Sequence, residues 1–224
     1  MTIAIDGPAG SGKSTVARRV AERTGFLYLN SGSFYRAITW SILQAGFDPA
    51  STHDLATVAA TIAKQTRIDI DPDTAVDGLT VNGTPLRCEL RSAAIDAHVA
   101  VVSSEPAVRE SVNRRLHELA RSRDVIAEGR DMATIVFHDA DIKIYLDASL
   151  EARARRRADE IPDANPVDVR DRIAERDRID ATKPVGRLKV DPAALYIDTS
   201  HLTLDQVCDT VMQTIQHKIQ KKGQ

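Results

Sequence analysis

Cysteine is nearly missing from this chain: Cys88 and Cys208 are the only two among 224 residues. Neither belongs to a CxxC pair or sits among histidines, which argues against a zinc site and a disulfide framework. Both are expected to be small core side chains in a reducing compartment. The six histidines are scattered without an HExxH pair, so a zinc-protease helix is not expected. No apolar stretch is long enough to cross a bilayer, and no membrane partner is expected. No basic segment followed by an apolar one opens the sequence, so no secretory leader is expected and a cytoplasmic location is. Nor is there an excess of charge: 30 basic residues face 32 acidic ones, a net of −2. That gives no global field for nucleic acid. No exposed apolar stripe is evident, so a monomer is expected.

What is present is an ordinary globular composition, 42% apolar and 28% charged, with enough chain for one domain carrying insertions. Five short apolar runs read as strands: Thr2–Ile5, Phe26–Leu29, Val125–Ala127, Ile142–Leu146 and Leu195–Ile197. Between and around them Ser14–Thr24, Phe34–Leu43, Glu105–Arg121 and Leu204–Ile219 carry apolar residues at helical spacing. Strands alternating with helices predict an α/β protein, a five-stranded parallel sheet covered on both faces. Two stretches break the rhythm. From about Gln65 to Arg91 the positions alternate, and Asn82-Gly83 is a hairpin signal, so a small antiparallel insert is expected. Leu150–Lys183 is highly charged, with a Pro162-Asp163-Ala164-Asn165-Pro166 break. It reads as two polar helices forming a lid. The expected plan is a core of 1–36, 104–149 and 184–224, a region with the insert at 37–103, and the lid at 150–183.

Gly7-Pro8-Ala9-Gly10-Ser11-Gly12-Lys13-Ser14 fits GxxxxGK[ST], between a strand and a helix as that motif requires. Glycines let backbone N–H groups approach phosphates closely, and the helix that follows points its positive end at the same anion. Lys13 would reach the β- and γ-phosphates and the Ser14 hydroxyl would ligate Mg²⁺, with Gly7–Thr15 forming the ATP cradle. The cradle does not name the acceptor. A guanine-reading switch needs NKxD, and the nearest string is Ala181-Thr182-Lys183-Pro184; no DxxG occurs either.

Phosphoryl transfer rests on positioning and charge neutralisation, so it calls for guanidiniums beyond the loop. Arg36 and Arg130 both fall just past strand ends, where open α/β sheets bind ligands. Arg109 opens a helix after Pro106. Arg153, Arg156 and Arg157 are spaced to share one helix face. Arg176, Asp177, Asp180 and Lys183 close the lid segment. Interleaved acids and the lack of aromatics around EARARRRADE argue against a nucleic-acid patch. Glu128, ending the third strand, is a candidate to orient a Mg²⁺-bound water.

The P-loop together with LNSGSFYR, PAVRE, AEGRDMATIVFHDADIKIYLDAS and RDRID resembles bacterial cytidylate kinases, nucleoside-monophosphate kinases of the P-loop class. The likeness runs from the P-loop to Asp198-Thr199. It implies a three-layer P-loop kinase fold and identifies the β-rich insert as a monophosphate-binding segment. It implies reversible transfer of the γ-phosphoryl group of Mg·ATP to CMP or dCMP. Lys13, Arg130, Arg153 and Arg157 would be catalytic, and Arg153, Arg156 and Arg157 would cover ATP. The CMP-binding set would be Ser31, Tyr35, Arg36, Arg109, Arg130, Asp131, Arg176, Asp180 and Lys183. Of these, Arg36, Arg130 and Lys183 would hold the acceptor's phosphate; Ser31, Arg109 and Asp131 would meet the cytosine edge. The chain departs from the family pattern at Asn30 (usually Asp), Ala133 (usually Gly), Ala100 (often Ser), Leu116 (Gln), Arg187-Leu188 (Pro-Leu) and Lys183 (usually Arg), the last exchanging a bidentate fork for a point charge. A kinase for another small acceptor (UMP, AMP or shikimate) and a P-loop ATPase switch without an acceptor are the alternative readings.

Overall fold

The computed structural model describes residues 1–70, 78–86, 88–160 and 165–222. The elements run β1 (Thr2–Asp6), α1 (Lys13–Thr24), β2 (Leu27–Asn30), α2 (Ser31–Gln44), α3 (Leu55–Gln65), β3 (Ile68–Ile70), β4 (Leu79–Val81), β5 (Thr84–Leu86), a 3₁₀ turn at Cys88–Arg91, α4 (Ala93–Val102), α5 (Pro106–Ala120), β6 (Val125–Gly129), a π-helical turn at Met132–Val136, β7 (Ile142–Asp147), α6 (Leu150–Asp159), α7 (Pro166–Thr182), β8 (Leu195–Asp198) and α8 (Leu204–Lys222). Two compact units divide the chain: Met1–Tyr28 with Ser122–Gln224, and Leu29–Arg121.

The first unit is built on the five-stranded parallel sheet, in the order β2-β6-β1-β7-β8. β1 lies at its centre with Asp6 opposite both Gly129 and Tyr145. In a parallel sheet that register brings the loops after β1, β6 and β7 out at one carboxyl edge. Burial explains the apolar strands: Ile3, Ile5, Ile144 and Leu146 are fully enclosed among Val16 and Val20 of α1 and Val207, Val211 and Ile215 of α8. The polar pair α6–α7 has a small core of its own, Ala154, Val169 and Ile173, with Leu150 and Ala158 against it. Its helices begin at Ser149, whose hydroxyl accepts from the Ala152 N–H, and Asn165, whose side chain accepts from Val167 N–H ahead of Pro166. These are standard N-terminal caps.

The second unit holds α2 to α5 and a three-stranded antiparallel sheet, β3-β4-β5. Asn82 and Gly83, both at positive φ (51° and 82°), turn the chain between β4 and β5, as the hairpin signal predicts. Residues 71–77 and 87 of the insert, and 161–164 of the expected break between the lid helices, lie outside the described residues.

Three features differ from the sequence reading. α3 and α4 were not expected as separate helices; Ala is the commonest residue in both, and α4 has little one-sided patterning to betray it. The π-helical turn was also missed: Val136 N–H donates to Asp131 C=O at 3.1 Å and Phe137 N–H to Met132 C=O at 2.7 Å, five residues back. Cys208 is a core side chain, but Cys88 is exposed, because it opens the 3₁₀ turn at the surface rather than facing a core. Among the described residues no helix is long and apolar enough to cross a membrane.

Ile144 is fully enclosed in the central core of the first unit. Ile144→Ala is expected to lower the unfolding free energy by about 3 kcal/mol, as large-to-small core changes do. Urea titration followed by circular dichroism measures it.

Candidate active site

Asp6 ends β1 and is only 1% exposed. Its two carboxylate oxygens accept the backbone N–H groups of Met132 and Ala133, each at 2.8 Å. It thereby ties the start of the glycine-rich loop to the turn after β6. Burial, its largest influence, raises its pKa to about 6; those two N–H groups oppose the rise. At Gly7 the chain passes so close to the Leu146 carbonyl oxygen that any Cβ would overlap it. A Cβ at Gly10, whose φ is +78°, would lie 3.1 Å from Cβ of Arg153, so the loop is packed against α6. Helix α1 starts at Gly12 with no side-chain cap and no acid in its first turn. A positive helix end left without an anion of its own is a site for one.

Lys13 lies at that end, 5% exposed, with Nζ donating to Pro8 C=O at 2.9 Å. Its pKa falls from the ordinary 10.5 to about 7. Burial is the main cause and Arg130 the next; Glu128 pulls the other way and Arg176 adds to the lowering. Like charges crowded in a buried place are the mark of a site that receives an anion. Beside it, Ser14 Oγ donates to Glu128 Oε1 at 2.7 Å, and the Tyr28 hydroxyl donates to the same oxygen at 3.2 Å. A hydroxyl and a carboxylate side by side are hard oxygen donors that suit Mg²⁺. Among the described residues no three or more His, Cys, Asp or Glu side chains gather as a metal cage. The donors therefore fit a Mg²⁺ that arrives on phosphates and keeps some of its waters.

The carboxyl edge continues into α6 and α7. Arg153, 7% exposed, donates through Nε to Ala148 C=O and through one terminal nitrogen to both Ala9 C=O, at 3.2 Å, and Asp177. Arg156 donates to the hydroxyl and the carbonyl of Thr199, whose hydroxyl lies 2.9 Å from Asp147 C=O and 3.2 Å from Ser11 C=O. Arg157 points elsewhere, pairing with Glu160 on the exposed face. The three arginines thus divide, two on the loop and one outside it.

Arg130, after β6, donates Nε to Asp180 Oδ2 at 2.8 Å, while Lys183 Nζ stands 3.2 Å from Asp180 Oδ1. Burial pushes the Asp180 carboxyl up, and Arg130 and Lys183 outweigh it, leaving its pKa below the usual value. Arg176 acts electrostatically on both Asp180 and Lys13, and Asp131, 2% exposed, acts on Asp6.

In the second unit Ser31 is buried in the first turn of α2, which Asn30 caps by accepting from Ser33 N–H at 3.2 Å. Arg109, 6% exposed, lies over the Tyr35 ring at 5.4 Å and donates to Ser103 C=O. Arg36 is held by Leu90 C=O and Asp96.

Asp6, Thr199 and Tyr28 escaped the sequence reading as site residues. Asp6 alone left a signal, an acid closing an apolar strand directly before the first glycine.

A strand, an uncapped helix and a buried lysine between them, with arginines from two further strand ends, define a P-loop kinase. The family model for cytidylate kinase matches residues 3–217. Cytidylate kinases of Geobacillus kaustophilus (strain HTA426) and Bacillus subtilis (strain 168) are each 37% identical to this chain; the alignments cover 98% and 97% of it, and the same shares of theirs. The chain belongs to the cytidylate kinase family. A solved structure of an uncharacterized protein from Eubacterium ventriosum ATCC 27560 shares the fold, with TM-score 0.51 and 11% identity over 96% of this chain and 98% of that one.

Lys13 has a folded pKa below its unfolded value. Between the two the unfolded chain holds a proton that the folded chain lacks, so this group makes stability rise with pH from about 7 to 10.5. A bound polyanion returns the proton. Inorganic triphosphate binding at about pH 8.5 is therefore expected to take up close to one proton, and Lys13→Met to abolish that uptake. Calorimetry in buffers of different ionisation enthalpy reads it. Equal heats in all buffers would mean that Lys13 is already charged.

Proposed function

We propose that the protein transfers the γ-phosphoryl group of Mg·ATP reversibly to CMP or dCMP, giving CDP or dCDP and ADP. The observation that carries this reading is the cytidylate kinase match over residues 3–217. An oxygen of the acceptor's phosphate attacks the γ-phosphorus, and the bond from that phosphorus to the β–γ bridging oxygen breaks. The acceptor oxygen is already anionic near neutral pH, so no strong general base is required.

The chain's own groups supply position and charge. Gly7–Thr15 hold the donor's phosphates through backbone N–H groups and Lys13. Arg153, Arg156 and Arg157 cover ATP as the lid at 150–183 closes on the core, which keeps water from the γ-phosphate. Arg130, with Arg153 and Arg157, neutralises charge that grows on the transferred group. Arg36, Arg130 and Lys183 are assigned to the acceptor's phosphate, and Arg176 and Asp180 to its ribose or the bridge to the phosphates. Tyr35, Ser31, Arg109 and Asp131 are assigned to the cytosine side. Mg²⁺, held by Ser14 and through water by Glu128, would neutralise the donor's phosphate oxygens when bound. A cytosine edge offers an amino donor beside acceptors, which a carboxylate, a guanidinium and a hydroxyl complement; uracil's O4 would face the carboxylate unpaired. A cytoplasmic monomer with no nucleic-acid partner completes this reading.

The deciding experiment is an acceptor panel of CMP, dCMP, UMP, AMP and shikimate with Mg·ATP, read by ADP release. CMP and dCMP are expected to be fastest. ADP release indifferent to every acceptor would instead indicate a nucleotide switch. Asp131→Ala is expected to narrow the CMP-over-UMP ratio of kcat/KM by at least about tenfold, the size of losing a buried polar contact. An unchanged ratio would remove Asp131 from the base site.

A further inference from the structure

Arg130 and Arg36 are both assigned to the acceptor's phosphate, yet their partners differ in kind. Asp180, beside Arg130, is itself assigned to the acceptor. Arg36 pairs with a carboxylate that has no part in the reading above. One terminal nitrogen of Arg36 donates to Leu90 C=O at 2.8 Å, and the other donates to Asp96 Oδ1 at 2.6 Å. Leu90 is buried within the 3₁₀ turn, while Asp96 stands in the first turn of α4. The Arg36 side chain is 19% exposed and that of Asp96 53%.

The two contacts do different work. Leu90 offers a neutral carbonyl, which fixes the guanidinium without opposing an incoming anion. Asp96 offers a full negative charge on the guanidinium that a phosphate dianion would use. We infer that Asp96 is a positioning residue that sets the affinity for the acceptor's phosphate, by competing with it for Arg36. The inference rests on the assignment of Arg36 to that phosphate. Without acceptor, the pair keeps the guanidinium oriented and partly neutralised. When the phosphate arrives, Asp96 is either displaced or left next to a like charge, and each outcome weakens binding. The product keeps the same phosphate as its α-phosphate, so Asp96 also favours product release.

The shape of Asp96 and its charge are separable. Asp96→Asn keeps an oxygen to accept from Arg36 and removes only the charge; Asp96→Glu keeps the charge. Binding of CMP and of cytidine, without ATP and at low salt, is to be measured by calorimetry on these variants and on Arg36→Gln. Asp96→Asn is expected to tighten CMP about three- to fivefold, in keeping with a half-exposed ion pair. Cytidine, which has no phosphate, is expected to bind unchanged. The gain should shrink as salt rises, and Asp96→Glu should bind CMP as the parent does. A merely structural role for Asp96 in α4 would move CMP and cytidine together. CMP binding unchanged or weakened in Asp96→Asn, or both ligands tightened alike, overturns the inference. Arg36→Gln separates the two levels. A CMP-to-cytidine ratio unchanged in that variant removes Arg36 from the phosphate site. A ratio that falls there but stays fixed in Asp96→Asn removes only the role of Asp96.

Discussion

Protonated Lys13 and Arg130 repel each other, and the fold holds them near enough that Arg130 is, after burial, the strongest influence lowering the pKa of Lys13. Arg176 adds to the repulsion. Lys13 is buried and the Arg130 side chain only 20% exposed, so their repulsion opposes folding, and the neighbouring groups respond to it. Asp180 takes Arg130 and Lys183, and Glu128 draws the Lys13 pKa back upward. Asp6 also acts on Lys13 while its oxygens are committed to two backbone N–H groups. The compensation is partial, so a polyphosphate completes an arrangement that the chain alone leaves strained. In a kinase this is useful: the interactions that cost stability in the free protein are those that strengthen when charge is delivered.

α6 meets the loop through guanidinium-to-carbonyl contacts, Arg153 on Ala9 directly and Arg156 on Ser11 through Thr199. Ala9 C=O is thereby met by Arg153, and Ser11 C=O by the Thr199 hydroxyl that Arg156 holds. The start of α1 carries no side-chain cap, an arrangement that suits an anion.

The sheet was legible because each strand is a short apolar run between helices with one-sided patterning, and five such runs did become its strands. The loop was legible because its glycines, lysine and serine form a motif of fixed spacing between a strand and a helix, a constraint local in sequence. Asn82-Gly83 carried its turn for the same local reason. Asp6 left only its place before the first glycine as a signal, since its role comes from two N–H groups more than a hundred residues away. The π-helical turn depends on bonds reaching five residues back, which no side-chain spacing in MATIV announces. α4 escaped because AAIDAHVAVV lacks the contrast between faces that marks a helix. The pairing of Arg36 with Asp96 joins positions 60 apart, so only the folded chain brings that carboxylate into view.

The small apolar cluster of Ala154, Val169 and Ile173 shares no residue with the core behind the sheet. Little hydrophobic burial holds α6 to α7. A pair packed so lightly is expected toward the low end of local stability within its unit. Polar contacts, such as Arg153 with Ala9 and Asp177, therefore carry a larger share of what fixes this pair to the loop.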